Sequence, residues 1–319
     1  MDTETTSSFN HVREEFQDLL EHLMASDPSV LEVASPREEP SPRPHFYVHR
    51  DDGLQHDAVL MTGGTQFERA LEQLALGGPS YDGCRKVLAC PDFVPPERMA
   101  AVPADVTVWG PDWFFKNYWQ QIACPSYRLI PLSAVSRIHR GVGIALRRRL
   151  NDHGTGKIEG RDREYEVLIR DIIQYLFFPD LDFARHNFTN ATRNRRVDVL
   201  FQNNSVDPQR WGRFRSAQYL GEFVVVECKN TASGIGQNDV DQLAAYLDGA
   251  GFSRVGVLVG RRRQLSSLQN GLLDARRKSP RPIILVLDDK TIGGLVDARY
   301  SRALHFEIRV EDWILAALG

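Results

Sequence analysis

The residues best suited to chemistry stand at the end of one apolar run. In Gly221-Glu-Phe-Val-Val-Val-Glu-Cys-Lys-Asn230, the stretch Phe223 to Val226 is β-branched and aromatic, as in a buried strand, and it ends in Glu227-Cys228-Lys229. Side chains alternate across a strand, so Glu227 and Lys229 share one face and Cys228 takes the other. A carboxylate and an ammonium beside apolar walls are costly unless they pair or hold an ion. Metal-assisted hydrolysis needs such a pair: an oxygen ligand for a hard divalent cation, and a positive charge near the attacking water or the phosphate. A plain surface Glu–Lys pair is the competing reading of this triplet alone.

Three further anomalies lie within reach in chain order. Glu166 sits beside the apolar stripe of an amphipathic helix spanning Arg163 to Phe178, a stripe formed by Tyr165, Leu168, Ile169, Ile172, Ile173 and Leu176. Asp198 lies inside the strand pattern Arg196-Val-Asp-Val-Leu-Phe201. Gln242 precedes Tyr246 by one helical turn in the helix expected over Asp239 to Leu247. On neighbouring strands, Asp198 and Glu227 could converge on one Mg²⁺, with the Cys228 backbone carbonyl as a further oxygen and Glu166 reaching in from its helix. Lys229 would then stand near the attacking water. Glu164 competes with Glu166 as the helical acid, and Gln242 and Tyr246 read as structural as readily as functional.

Taken together, Tyr165-Glu166, Val197-Asp198-Val199, Val226-Glu227-Cys228-Lys229 and Gln242-x-x-x-Tyr246 resemble the motifs of the PD-(D/E)XK, restriction-endonuclease-like nuclease superfamily. The branch they most resemble is that of Mrr-like type IV restriction enzymes and related repair nucleases. The resemblance covers roughly residues 160 to 295. It implies an α/β fold with a mixed central sheet flanked by helices. It makes Asp198, Glu227 and Lys229 the catalytic core, Glu166 an auxiliary acid, and Gln242 and Tyr246 supporting groups. It implies Mg²⁺, with Mn²⁺ as a substitute, DNA as substrate, and a restriction or antiviral-defence setting in a prokaryote. The sequence departs from the family in lacking a proline before Asp198 and in the long insertion between Asp198 and Glu227. A repair or recombination nuclease acting on branched or single-stranded DNA would share these residues. A catalytically silent DNA-binding or ligand-sensing module would share only the fold.

Composition sets the frame. The chain has 319 residues, 42% hydrophobic and 25% charged, with a formal net charge of −3, which suits one large or two medium domains of a globular protein. The charge does not advertise nucleic acid, but of 39 basic residues only six are lysines, and arginine's planar fork suits phosphate. Four cysteines (Cys84, Cys90, Cys124, Cys228) have neither metal-ligand spacing nor the density of a disulfide scaffold. With no apolar run of membrane length and no signal-peptide pattern at the start, the expectation is a reduced, cytoplasmic protein with no membrane partner.

Five segments are expected to position these groups. Residues 1–44 form an acidic helix (Phe9 to Met24) and a Pro-rich linker; the helix could dock on its own domain or mediate self-association, and a homodimer is left open. Residues 45–130 form a smaller α/β module of recognition or regulatory type, where a small molecule or protein could act as regulator. Its Thr62-Gly-Gly-Thr65 turn could hold an anion at a helix N-terminus, though a tight turn explains it as well. Its aromatic cluster Trp113, Phe114, Phe115, Tyr118 and Trp119 is read mainly as core. Residues 131–162 are a basic helical connector, residues 163–295 the nuclease-like domain, and residues 296–319 a strand and helix that complete it. Arg195, Arg196, Arg261, Arg262 and Arg263 are candidate DNA contacts. The insertion carrying Arg210, Trp211, Arg213 and Arg215 suits a loop that touches DNA or one that is simply solvated.

Overall fold

The structure is a computed structural model. It describes residues 3–34, 45–50, 56–76, 83–123, 132–153, 161–189, 196–216, 219–250, 253–278, 281–301, 306 and 310–314. The chain is α/β and divides into two compact units, Met1–Ala145 and Leu146–Gly319, each built on a mixed five-stranded sheet.

The first unit opens with helix α1 (Thr3–Ala25), then β1 (Val30–Ala34), β2 (Phe46–Arg50) and β3 (His56–Met61). These are followed by α2 (Phe67–Leu76), β4 (Cys84–Ala89), the single-turn α3 (Pro96–Met99), β5 (Val106–Trp109) and α4 (Pro111–Ala123). Strand order is β1-β2-β3-β4-β5, with antiparallel pairing up to β3 and parallel pairing beyond. The parallel half follows from strand–helix–strand order, since a parallel neighbour requires a crossover. Helix α1 docks on its own unit: Phe16, Leu19, Leu20, Leu23 and Met24 are buried, and the Phe16 ring meets Phe114 edge-on at 5.8 Å. Strand β1 had no counterpart in the sequence reading, because Leu31 and Glu32 on an edge strand leave no strict alternation. The buried Asp57 is held by Arg85 at 2.6 Å and Arg50 at 3.2 Å.

Helix α5 (Leu132–Asp152) contains the boundary between the units. The second unit continues with α6 (Arg161–Phe177), β6 (Leu181–Thr189), β7 (Arg196–Asn203), β8 (Phe223–Lys229), α7 (Gln237–Ala250), β9 (Val255–Gly260), α8 (Leu265–Arg276), β10 (Ile283–Asp288) and α9 (Asp289–Tyr300). Strand order is β10-β9-β8-β7-β6; β6, β7 and β8 pair antiparallel, while β8, β9 and β10 pair parallel. The stripe on α6 is buried as its spacing requires: Tyr165, Leu168, Ile169, Ile172, Ile173 and Leu176 are all core. On the other helix, Val240, Leu243 and Leu247 of α7 pack with Val225 and Leu258. Gly256 allows that approach, since a Cβ there would lie 3.0 Å from Leu243 and 3.1 Å from Leu247. The final strand expected after residue 300 falls largely outside the described residues, and 310–314 are helical.

The insertion between β7 and β8 is not a solvated or DNA-touching loop at its tryptophan. Trp211 is fully buried, with Phe177 at 5.3 Å, Trp313 at 6.0 Å and Phe214 at 6.1 Å. Arg210 lies near Asp207 and Asp180, and Arg215 donates to the Ser205 carbonyl at 3.3 Å, so the arginines fold back on the segment itself. In the first unit, the Gly63–Gly64 turn already has its anion: the Gly64 N–H donates to Asp92 at 2.8 Å.

Candidate active site

The central feature is a fork between β7 and β8. Their ladder runs from Gln202↔Phe223 to Val199↔Val226 and stops there. Beyond that point β8 stays paired with β9 through Glu227↔Leu258, Cys228↔Val259 and Lys229↔Gly260. Arg196 and Val197 of β7 stay paired with β6. The next rung in register would place Asp198 opposite Glu227. Instead the Asp198 carboxylate accepts the Cys228 backbone N–H at 2.8 Å. A side-chain oxygen thus replaces a strand carbonyl, satisfying a donor that the open fork would otherwise orphan.

Alternation puts Val225, Glu227 and Lys229 on the sheet face covered by α7. The Lys229 ammonium donates to Glu227 Oε1 at 2.8 Å and to Gln242 Oε1, on α7, at 3.1 Å. Glu227 and Lys229 are mostly buried, with side chains 14% and 19% exposed. Gly260 seats the strand end closely: a Cβ there would lie 2.6 Å from Ile235 and 3.3 Å from the Lys229 carbonyl oxygen.

The electrostatics show that these groups form one cluster. Burial, then the charge of Asp198, raise the Glu227 carboxyl above its ordinary value, against the pull of Lys229. Burial works against the Lys229 ammonium, but Glu227, Asp239 and Asp198 outweigh it and raise its pKa. The Cys228 thiol is pushed well up by burial and then by Asp198, Glu227 and Glu166. It is therefore a packed, protonated thiol rather than a nucleophile.

The structure therefore brings Asp198, Glu227, Lys229 and Gln242 together. Glu166 is half-buried on α6 and acts on Cys228, on the opposite side of β8 from Glu227 by alternation; Glu164 is exposed. Tyr246 is buried in the hydrophobic cluster under α7. Arg195 lies outside the described residues, as does the side chain of Arg196. Arg261 and Arg263 are held in ion pairs, to Asp289 at 2.8 Å and Asp288 at 3.1 Å. Of the three consecutive arginines, Arg262 is the exposed one. One member of the cluster was missed by sequence reasoning: Asp239, whose charge acts on both Glu227 and Lys229. It accepts the Gly236 N–H at 3.0 Å in the first turn of α7, and in sequence an acid at that position reads only as helix capping.

Among the described residues, no group of three or more His, Cys, Asp or Glu side chains stands close enough to hold a metal ion. The fork offers two carboxylates, Asp198 and Glu227. Mg²⁺ is commonly held by one or two carboxylates together with water and substrate phosphate. Burial is the main cause that raises Glu227, and the charges of Asp198 and Asp239 add to it. Asp198 and Glu227 are hard oxygen donors of the kind that Mg²⁺ accepts. No family model matches the chain, and neither a curated protein nor a solved structure matches it. Among the described residues, no helix is long and apolar enough to cross a membrane.

Proposed function

We propose that the second unit is a Mg²⁺-dependent nuclease that hydrolyses DNA phosphodiester bonds, acting endonucleolytically in a restriction or defence setting. The observation that carries the reading is the fork itself. Two strands part where one supplies Asp198 and the other Glu227, and Lys229 is held on the same face by Glu227 and Gln242. When bound, Mg²⁺ supplies Lewis acidity toward the phosphate and lowers the pKa of the attacking water.

The chain's own groups do the remaining work. Asp198 and Glu227 present hard oxygens. Glu227 must be ionised to do so, and with its carboxyl raised by burial and Asp198, activity should climb as pH rises through its titration. Lys229, with one proton on Glu227 and another on Gln242, offers its charge to the phosphate oxygens that gain negative charge in the transition state. Gln242 is a positioning residue for Lys229. The exposed Arg262 is suited to hold the DNA backbone. Mn²⁺ should substitute for Mg²⁺.

The test is cleavage of supercoiled plasmid with Mg²⁺, with EDTA, and with Lys229→Ala. Cleavage should need the metal and fall by about 10²–10³ in the variant, the usual cost of losing one charge-stabilising donor. Equal cleavage by wild type and variant removes the mechanism.

A further inference from the structure

On the α6 side of the same sheet lies a partly buried charged cluster with no part in the chemistry above. Arg261 is the first residue after β9, directly following Gly260, the register partner of Lys229. Its Nη1 meets Asp289 Oδ2 at 2.8 Å, at the start of α9. Its Nη2 donates to the backbone carbonyl of His153, just past the end of α5. Its guanidinium lies over the Tyr165 ring, 5.3 Å from the centroid. The Tyr165 hydroxyl donates to the other carboxylate oxygen, Asp289 Oδ1, at 2.8 Å. Tyr165 is fully buried, its ring stacked on His153 at 5.6 Å.

We infer that Arg261, Asp289 and Tyr165 form a clasp of positioning residues that sets α6 and the end of β9 against the strand that carries Glu227 and Lys229, and so places Lys229. This rests on the nuclease reading. Tyr165 is the buried residue of the first turn of α6 that meets Asp289, so fixing its phenol fixes the rotation of α6 on the sheet. Arg261 anchors the strand end whose Gly260 seats against the Lys229 carbonyl. A second tie acts in the same direction: the buried Asn230, next to Lys229, donates to Asp162 at 3.2 Å, one turn before Glu166 on α6. Both oxygens of Asp289 are thus committed to different elements, so α6 cannot rotate or slide without breaking a partly buried charge-assisted contact. Supporting groups behind active-site ligands work in this way, by restricting orientation rather than touching the reacting atoms.

The experiment compares full-length wild type with Asp289→Asn, Arg261→Lys and Tyr165→Phe, the last removing a single hydroxyl. Steady-state DNA cleavage in Mg²⁺ is measured beside thermal melting. Asp289→Asn and Arg261→Lys should lower kcat by about 10–100-fold, the usual cost of losing a supporting partner, with KM unchanged. Tyr165→Phe should fall between them and wild type. A kcat loss that only tracks the folded fraction, or no loss, overturns the clasp.

A second readout needs no cleavage. Cys228 points to the α6 face of β8, opposite Glu227 and Lys229, so its alkylation rate, followed by peptide mass mapping, reports whether α6 still covers the sheet. Each variant should label faster than wild type, by about tenfold for Asp289→Asn if local opening eases by about 1.4 kcal/mol. Unchanged labelling overturns the clasp even where wild type fails to cleave, the outcome that would sink the nuclease reading alone.

Discussion

Replacing Asp198 by alanine and by asparagine separates architecture from chemistry at the fork. The carboxylate accepts the Cys228 N–H at 2.8 Å, which no strand carbonyl of β7 reaches once the ladder ends at Val199↔Val226. Alanine removes that acceptor and leaves a donor in a half-buried crevice, a loss of about 1–3 kcal/mol. Asparagine keeps an acceptor oxygen on the same stem, so its stability should stay within about 0.5 kcal/mol of wild type, as for a substitution that breaks no named contact. Asparagine also removes a charge that opposes the Glu227 carboxylate but favours the Lys229 ammonium, so these two effects offset. Both variants lose the carboxylate proposed to hold Mg²⁺, so both should lose DNA cleavage. The assay is urea unfolding at neutral pH, followed by tryptophan fluorescence, beside plasmid cleavage. Equal destabilisation by alanine and asparagine would refute the account of the fork, and full cleavage by the asparagine variant would refute the account of the site.

Other outcomes follow from the same contacts. Glu227 has a raised folded pKa, so its favourable contribution is complete below its unfolded value and is lost as pH rises through the folded one. Glu227→Gln should therefore gain stability relative to wild type with rising pH while losing cleavage; parallel stability curves would count against this. Asp289 is moved from 3.8 to about 6, equivalent to at most about 3 kcal/mol at about 1.36 kcal/mol per pH unit. Burial is the main cause, with Asp288 adding to it and Tyr165, Arg261 and Arg147 opposing it. Stability should fall by up to that amount between about pH 4 and 6, and a difference curve against Asp289→Asn isolates it. In the first unit, Asp57→Ala removes the almost inaccessible carboxylate that both Arg50 and Arg85 meet, while Arg50 keeps Asp27 and Ser29. Thermal melting should show a loss of about 1–3 kcal/mol, the cost of removing one partner of a hydrogen bond, since the arginines left behind are part-exposed.

What could be read from the chain in advance was local. The apolar stripe of α6 and the β-branched run of β8 announce themselves through spacing and residue type, and both formed where expected. The placement of Asp198, Glu227 and Lys229 beside one another rests on pairing across an insertion; the alternation at β8 set the face, and only the tertiary register set the partner. Trp211 was misread because its neighbours are arginines and glycine, yet those arginines bind back onto their own loop and let the indole turn inward. Arg261 and Arg263 look in sequence like free positive charge. They are spoken for by Asp288 and Asp289, which lie far along the chain and meet them only because β9 and β10 run side by side. Asp239 hid behind a helix-start pattern that it also fulfils.

The rung that Asp198 makes with Cys228 differs from its neighbours in being titratable. Peptide carbonyls do not take up a proton in this pH range and carry no net charge to draw a cation, but a carboxylate does both. Mg²⁺ drawing on the same oxygen, or acid protonating it, would loosen this one crosspiece while the ladder from Val199 to Gln202 held. The Cys228 amide should then exchange its hydrogen faster with either treatment, making a single backbone N–H the gauge of what the fork is holding.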